Sequence, residues 1–246
     1  MKRLLDFSVA LAGLLLASPV LLPVMFLVWR QDRHSPFYIA PRVGRDGRLF
    51  HMVKLRSMRI NADRTGVDST SAADSRITPV GHFIRRYKLD EVTQLWNVLI
   101  GDMSLVGPRP NVERETRLYT AAEQGLLAVK PGITDYASIV FADEGEILAG
   151  HPDPDLGYNQ LIRPWKSRLG LFCIQHSSIA LDLKLIGLTV LAIVSRERAL
   201  AAVSRDLETR GAPAALVEIA RRRQALVPHP PPGASSVVQS RDAVAV

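Results

Sequence analysis

The chain has 246 residues, of which 47% are hydrophobic, enough for one domain of ordinary size with additions and for a real core. Its formal net charge of +7 and sequence pI near 9.9 point to an anionic partner: nucleic acid, acidic lipid or a phosphorylated small molecule. The single cysteine, Cys173, excludes an internal disulfide framework and a thiolate zinc cluster, and no HExxH, Walker loop or G-x-G-x-x-G is present, which sets aside zinc hydrolases and dinucleotide enzymes.

The first element is apolar. From Phe7 to Trp29 the chain reads FSVALAGLLLASPVLLPVMFLVW with no formal charge. As one straight helix it would measure about 35 Å, enough to cross a bilayer. Lys2, Arg3 and the tripeptide LAS resemble a signal peptide, but the apolar run continues well past that point. Two features weigh against simple spanning. Ser18-Pro19 and Pro23 interrupt the run, and basic residues flank it on both sides, Lys2 and Arg3 before, then Arg30, Arg33, Arg42, Arg45 and Arg48 after. Cations favour the cytoplasmic side, so a helix bent at Ser18-Pro19 that enters one leaflet and returns satisfies both flanks. A kinked spanning helix stands equally beside it. In either form Pro19 frees a carbonyl upstream, which the Ser18 hydroxyl can bond.

The stretch GRDGRLFHMVKLRSM (44–58) combines turn residues with a mixed apolar and basic run, and predicts a short hairpin or strand ending near Lys54 and Arg56. Residues 61–75 are small and polar and read as a loop. After Asp90, the positions Val92, Leu95, Trp96 and Leu99 follow i, i+3, i+4, i+7, one face of an amphipathic helix that Gly101 can close and that Asp90 and Glu91 open. IALDLKLIGLTVLAIV (179–194) is strongly apolar, but its uncharged part is too short to span, so it reads as a core or interfacial helix. From Asp206 the composition shifts to Ala, Arg and Pro, with RRR at 221–223 and PHPPPG at 228–233. That reads as a mobile tail with one basic helix around Pro213–Leu226.

The segment RRYKLDEV (85–92) places Asp90 and Glu91 behind Arg85, Arg86 and Lys88. An aspartate before an apolar-periodic run is most often an N-cap, and a glutamate in the first turn complements the helix dipole. The next stretch, GDMSLVGPRP (101–110), favours another reading, because Pro108 and Pro110 fix the backbone around Arg109 and present its guanidinium for bidentate phosphate recognition. Carboxylates with fixed cations suit phosphoryl chemistry assisted by a divalent metal.

These residues resemble a known family. IRRYKLDEVTQLWNVLIGDMSLVGPRP followed by KPGITDYASI (130–139) is similar to the bacterial sugar transferases, the monotopic phosphoglycosyl transferases. KRLLD near the N-terminus, Ser18-Pro19, VKLRSM (53–58) and SSIALDLK (177–184) match in order, so the resemblance covers about residues 1–195. It implies an α/β (α+β), helix-rich small catalytic domain on the membrane interface with an N-terminal re-entrant helix. The expected divisions are 1–30 for that helix, 31–195 for the catalytic domain and 196–246 for the tail. It further implies transfer of a sugar-1-phosphate from a nucleotide sugar, usually a UDP-sugar, to a polyprenol phosphate such as undecaprenyl phosphate, with release of the nucleoside monophosphate. The expected place is the cytoplasmic face of the bacterial inner membrane, against anionic phospholipid, with a second copy of the chain, as a homodimer, among the partners to test.

Carried over by position, the resemblance makes Asp90 the nucleophile and Glu91 a magnesium (Mg2+) ligand, and assigns Lys54, Arg56, Arg85 and Arg109 to the substrate phosphates. Lys2, Asp6, Ser18 and Pro19 become the motif that orients the re-entrant helix. A solvated basic face against anionic lipid remains the alternative for Arg56 especially. The chain departs from the family pattern in two places. Lys88 stands where members often carry a capping serine, so helix entry should differ, and Asp143 and Glu144 replace residues often placed near substrate, which leaves the sugar contacts open. A second function class is a membrane-anchored scaffold with a degenerate catalytic domain. Nucleic-acid binding comes a distant third, because aromatic residues total only 6% and are not interleaved with the cations.

Overall fold

The computed structural model describes residues 1–62 and 74–240. The expected loop at 61–75 therefore lies mostly outside the described residues. In chain order the elements are α1 (Lys2–Asp32), β1 (Phe37–Val43), β2 (Leu49–Leu55), α2 (Pro79–Arg86), α3 (Leu89–Val92), α4 (Leu95–Ile100), β3 (Ser104–Val106), α5 (Glu113–Arg117), β4 (Gly132–Thr134), α6 (Tyr136–Val140), α7 (Glu144–Ile147), α8 (Pro154–Gly157), α9 (Arg163–Gln175), α10 (Ile179–Val194), α11 (Arg196–Thr209) and α12 (Ala214–Arg221). A π-helical turn, Tyr158–Ile162, leads into α9. The fold is α+β and helix-rich. Its strands form an antiparallel hairpin, β1–β2, and a parallel pair, β3–β4.

α1 is long and apolar enough to cross a membrane, and only 17% of its most apolar stretch is buried. Helical structure continues through Ser18-Pro19 rather than breaking there. Pro19 has no N–H for the carbonyl of Leu15, and the Ser18 hydroxyl donates to that oxygen at 2.8 Å, the compensation expected from sequence. The first half of the helix is pinned to the main body. Asp6 accepts from Ser104 Oγ at 3.1 Å and from Leu105 N at 3.0 Å, and Lys2 Nζ bonds Asp182 Oδ2 at 2.5 Å. Ala10 belongs to the main core. The second half is pinned too, through Leu21, Val24 and Val28, which form a separate cluster with Leu55 of β2 and Ile84 of α2. Both halves of the apolar helix therefore dock on one globular body, while Leu15, Leu16, Leu22 and Phe26 face outward.

The main core gathers α6, α9, α10 and α11 around Tyr136, Leu169, Leu185 and Val203. α10 combines the two roles expected of it, burying Leu181, Leu185 and Leu188 while Leu183, Val190, Ile193 and Val194 are exposed. The tail departs from expectation. Helices α11 and α12 are packed, because Leu200, Val203 and Leu207 recur on one face of α11 and Leu216, Val217 and Ala220 of α12 enter the same core. Beyond α12, Arg168 Nη1 donates to Pro230 O at 2.9 Å and Gln160 Nε2 to Val238 O at 2.7 Å, and Val238 is buried.

Candidate active site

Three backbone devices build the site. The first is the acid turn. The amphipathic helix expected after Asp90 is divided at Thr93–Gln94 into α3 and α4, and Gly101 closes α4 in the left-handed conformation at φ 95°. Lys88 precedes α3 at φ 55° and makes no side-chain cap, as the missing serine foretold. In so short a helix, positions i and i+3 share a side. Leu89 and Val92 pack on the α1 cluster, and Asp90 and Glu91 lie between them in sequence.

The second device ties the acid turn to the hairpin. Asn97 Nδ2 donates to His51 O at 2.8 Å, and its Oδ1 accepts from Val53 N at 2.9 Å. Thr93 Oγ1 lies 3.3 Å from Val53 O. These contacts satisfy backbone groups of β2 and hold Lys54 beside the acids. Neither residue was singled out from sequence, although both are polar side chains in an otherwise apolar helical pattern.

The third device holds Arg109. The turns at Gly107–Pro110 and Lys130–Gly132 meet backbone to backbone: Gly107 N donates to Thr134 O at 3.0 Å and Gly132 N to Pro108 O at 2.9 Å. A Cβ on Gly132 would fall 2.1 Å from Gly107 N, so only glycine permits the approach. Arg109 Nη2 then donates to Glu91 Oε1 at 2.8 Å.

The electrostatics divide the acids. Burial pushes Glu91 up, but the charge and hydrogen bond of Arg109, with Lys88 and Lys54, outweigh it and hold the carboxyl at about 2. Asp90 goes the other way: burial raises it above the ordinary range and Glu91 adds to the rise, while Lys54, Arg109 and Arg85 offset only part. Its Oδ1 is buried without a hydrogen-bond partner. The N-cap reading is thereby overturned, since a capping carboxylate would accept backbone N–H bonds. Lys54 is lowered to about 8, by burial and then by Arg109, against the pull of Asp90 and Glu91. Arg85 is lowered by burial, feels Asp90, and donates its Nε to Ser57 Oγ at 3.0 Å.

Lys54, Arg85 and Arg109 thus gather around the acid pair. Arg56 does not join them. Its guanidinium forks onto Asp32 at 2.5 and 2.8 Å and donates to Ser35 O at 2.8 Å, which locks the end of α1 to the end of β2. Lys2 and Asp6 serve the other end of α1. Arg86, expected in the field around Asp90, instead lies over the Tyr87 ring, 5.8 Å from its centroid. Asp143 is gripped by Arg196 and Arg222, and Glu144 pairs with Lys166.

Among the described residues there is no cluster of three or more carboxylate, histidine or cysteine ligands. Magnesium does not require one, since it takes one or two carboxylates and completes its shell with water and phosphate oxygens. The adjacent carboxylates, one with an unpartnered buried oxygen, fit such an ion.

The family model described as bacterial sugar transferase matches residues 1–196. A protein of Erwinia amylovora named UDP-galactose-lipid carrier transferase is 42% identical over 149 residues, covering 54% of this chain and 31% of its own length. The exopolysaccharide production protein ExoY of Sinorhizobium fredii is 40% identical over 148 residues, 54% of this chain and 66% of its own. A Klebsiella pneumoniae protein named UDP-glucose:undecaprenyl-phosphate glucose-1-phosphate transferase is 37% identical over 196 residues, 77% of this chain and 39% of its own. The chain thus spans between 31% and 66% of the length of these relatives.

Proposed function

The chain belongs to the bacterial sugar transferase family, and from that membership we propose that it moves a sugar-1-phosphate from a UDP-sugar to a polyprenol phosphate at the cytoplasmic face of the bacterial inner membrane. The observation that carries this reading is the unpartnered, buried Oδ1 of Asp90, set beside Lys54, Arg85 and Arg109. A buried polar atom without a partner costs about 1–3 kcal/mol. In this scheme the partner that offsets the cost is the substrate phosphate.

Asp90 attacks the phosphorus bearing the sugar. The bond to the bridging oxygen breaks, UMP departs with that oxygen, and an aspartyl phosphosugar remains. An oxygen of the polyprenol phosphate then attacks the same phosphorus, restores the Asp90 carboxylate and leaves a polyprenyl diphosphate sugar. Lys54 and Arg85 supply positive charge to the phosphoryl oxygens. Arg109 is held rigidly by its flanking prolines and Glu91, ready to meet the diphosphate. Magnesium, when bound, neutralises phosphate charge, and Glu91 is the residue that would hold it with the oxygen Arg109 leaves free.

The membrane part of the proposal rests on α1. Because both of its halves dock on the same body, we read the helix as an anchor seated in one leaflet rather than a span, with Ser18 supplying the bond that Pro19 removes. Arg56 in this scheme fixes the anchor to the hairpin rather than binding phosphate.

The test is lipid-free turnover. UDP-sugar and magnesium alone should release at most about one UMP per active enzyme and add one sugar phosphate to the peptide carrying Asp90, which polyprenol phosphate then discharges. Release of UDP, or of UMP only after lipid is added, would overturn the covalent scheme. An absence of turnover with every UDP-sugar would favour the scaffold reading.

A further inference from the structure

We propose that helices α11 and α12, which begin where the family match ends, form a brace that sets the donor side of the site: Arg196, the last matched residue, and Arg222, beyond the match, grip Asp143 and so position Glu144 against Lys166 and the Arg109 turn. The inference rests on the transferase reading and extends it past the matched residues to Arg222.

The grip combines one hydrogen bond, from Arg222, with one close ion pair, from Arg196. Arg196 Nη2 lies 2.7 Å from Asp143 Oδ1 and Arg222 Nη2 lies 3.1 Å from Oδ2, so two cations from the appended helices converge on one carboxylate whose side chain is 15% exposed. Arg222 reaches it from the left-handed residue ending α12, at φ 52°, with its guanidinium 5.5 Å from the centre of the Phe141 ring. Placing a β-carbon residue there costs conformational energy, which the double ion pair offsets. Arg196 also donates to Val140 O at 3.3 Å, so the grip includes the backbone just before Asp143.

From Asp143 the contacts continue toward the site. Glu144, the next residue, begins α7 and pairs with Lys166 of α9. Lys166 Nζ sits 5.3 Å from the centre of the Tyr158 ring, and the charge of Glu144 acts on Arg109, two residues before Asn111. Asn111 is held in turn by Tyr119 at 2.8 Å. A displacement of residues 143–147 therefore bears on the Arg109 turn, where the donor diphosphate is expected to sit. The π-helical turn that presents Tyr158 is a geometry often found at functional sites.

The full-length protein in lipid nanodiscs tests this with Arg196→Ala, Arg222→Ala, their double variant and the conservative Arg222→Lys. Hydrogen exchange should rise across 141–148 in the alanine variants while exchange in α1 and α3 stays as in the parent. UDP with magnesium should bind about tenfold more weakly to the double variant, and the KM for the UDP-sugar should rise by a similar factor with little change in the KM for polyprenol phosphate. Arg222→Lys should restore most of the loss. Unchanged exchange across 141–148 would overturn the brace whether or not the protein is a transferase. Faster exchange with unaltered UDP binding would overturn its bearing on the donor. A parent protein that binds UDP tightly but turns over no UDP-sugar would refute the transferase reading alone, with the UDP-binding comparison still deciding the brace.

Discussion

At the scale of single residues, the acid pair combines a settled carboxylate with an unsettled one. Glu91 is satisfied by Arg109, whereas Asp90 is raised by burial and lacks a partner for Oδ1. A carboxyl whose folded value lies above its unfolded value subtracts stability once the pH passes the unfolded value, so at neutral pH Asp90 is a liability to the fold. Asp90→Asn should accordingly abolish turnover while leaving Tm unchanged or raised, measured by thermal unfolding of the purified protein. A fall of many degrees would make Asp90 a structural residue. Lys54 predicts a pH limb. It is cationic below about 8 in the free protein, so kcat/KM for the UDP-sugar should fall as pH rises through that value, and Lys54→Arg should carry the fall to higher pH. A pH limb that stayed in place in Lys54→Arg would remove Lys54 from phosphate binding. The acids and Arg109 were legible in the sequence because adjacency and flanking prolines are local facts. The partnership of Arg56 with Asp32 was not, because residues far apart in sequence meet only once α1 has folded back on the hairpin.

Among elements, the anchor helix and the tail show what periodicity can and cannot reveal. The proline pair, the flanking cations and the Ser18 hydroxyl were readable, but they left spanning and re-entry equal. What sequence does not reach is tertiary: Asp6 and Ala10 dock at one end of the helix and Val24 and Val28 at the other, on one body, which supports the proposed one-leaflet anchor. Single cysteines at position 1 and at position 47, in a Cys173→Ser background, should both resist an impermeant thiol reagent in intact cells and react after permeabilisation. Labelling of only one in intact cells would establish a spanning helix. The tail was misread for a different reason. The shift to Ala, Arg and Pro after Asp206 suggested a loose tail, yet Leu200, Val203 and Leu207 already stand at i, i+3 and i+7. Leu207 is fully buried, so Leu207→Ala should cost about 2–5 kcal/mol in denaturant unfolding. A cost near zero would return α11 to the status of a loose appendage.

Over the whole molecule, the most consequential feature is the small cluster in which Leu89 and Val92 rest against Leu21, Val24 and Val28. The turn carrying Asp90 and Glu91 is seated directly on the long apolar helix α1. On the function proposed here, that seating acts as a depth gauge. The height of the reacting carboxylate above the acyl chains is fixed when the protein folds, by five aliphatic side chains, and does not vary as loops breathe. An acceptor whose phosphate floats at the headgroup plane then needs to search only in two dimensions, because its third coordinate has already been matched. A soluble nucleotide sugar arrives from the remaining direction, and the two substrates never compete for the same approach.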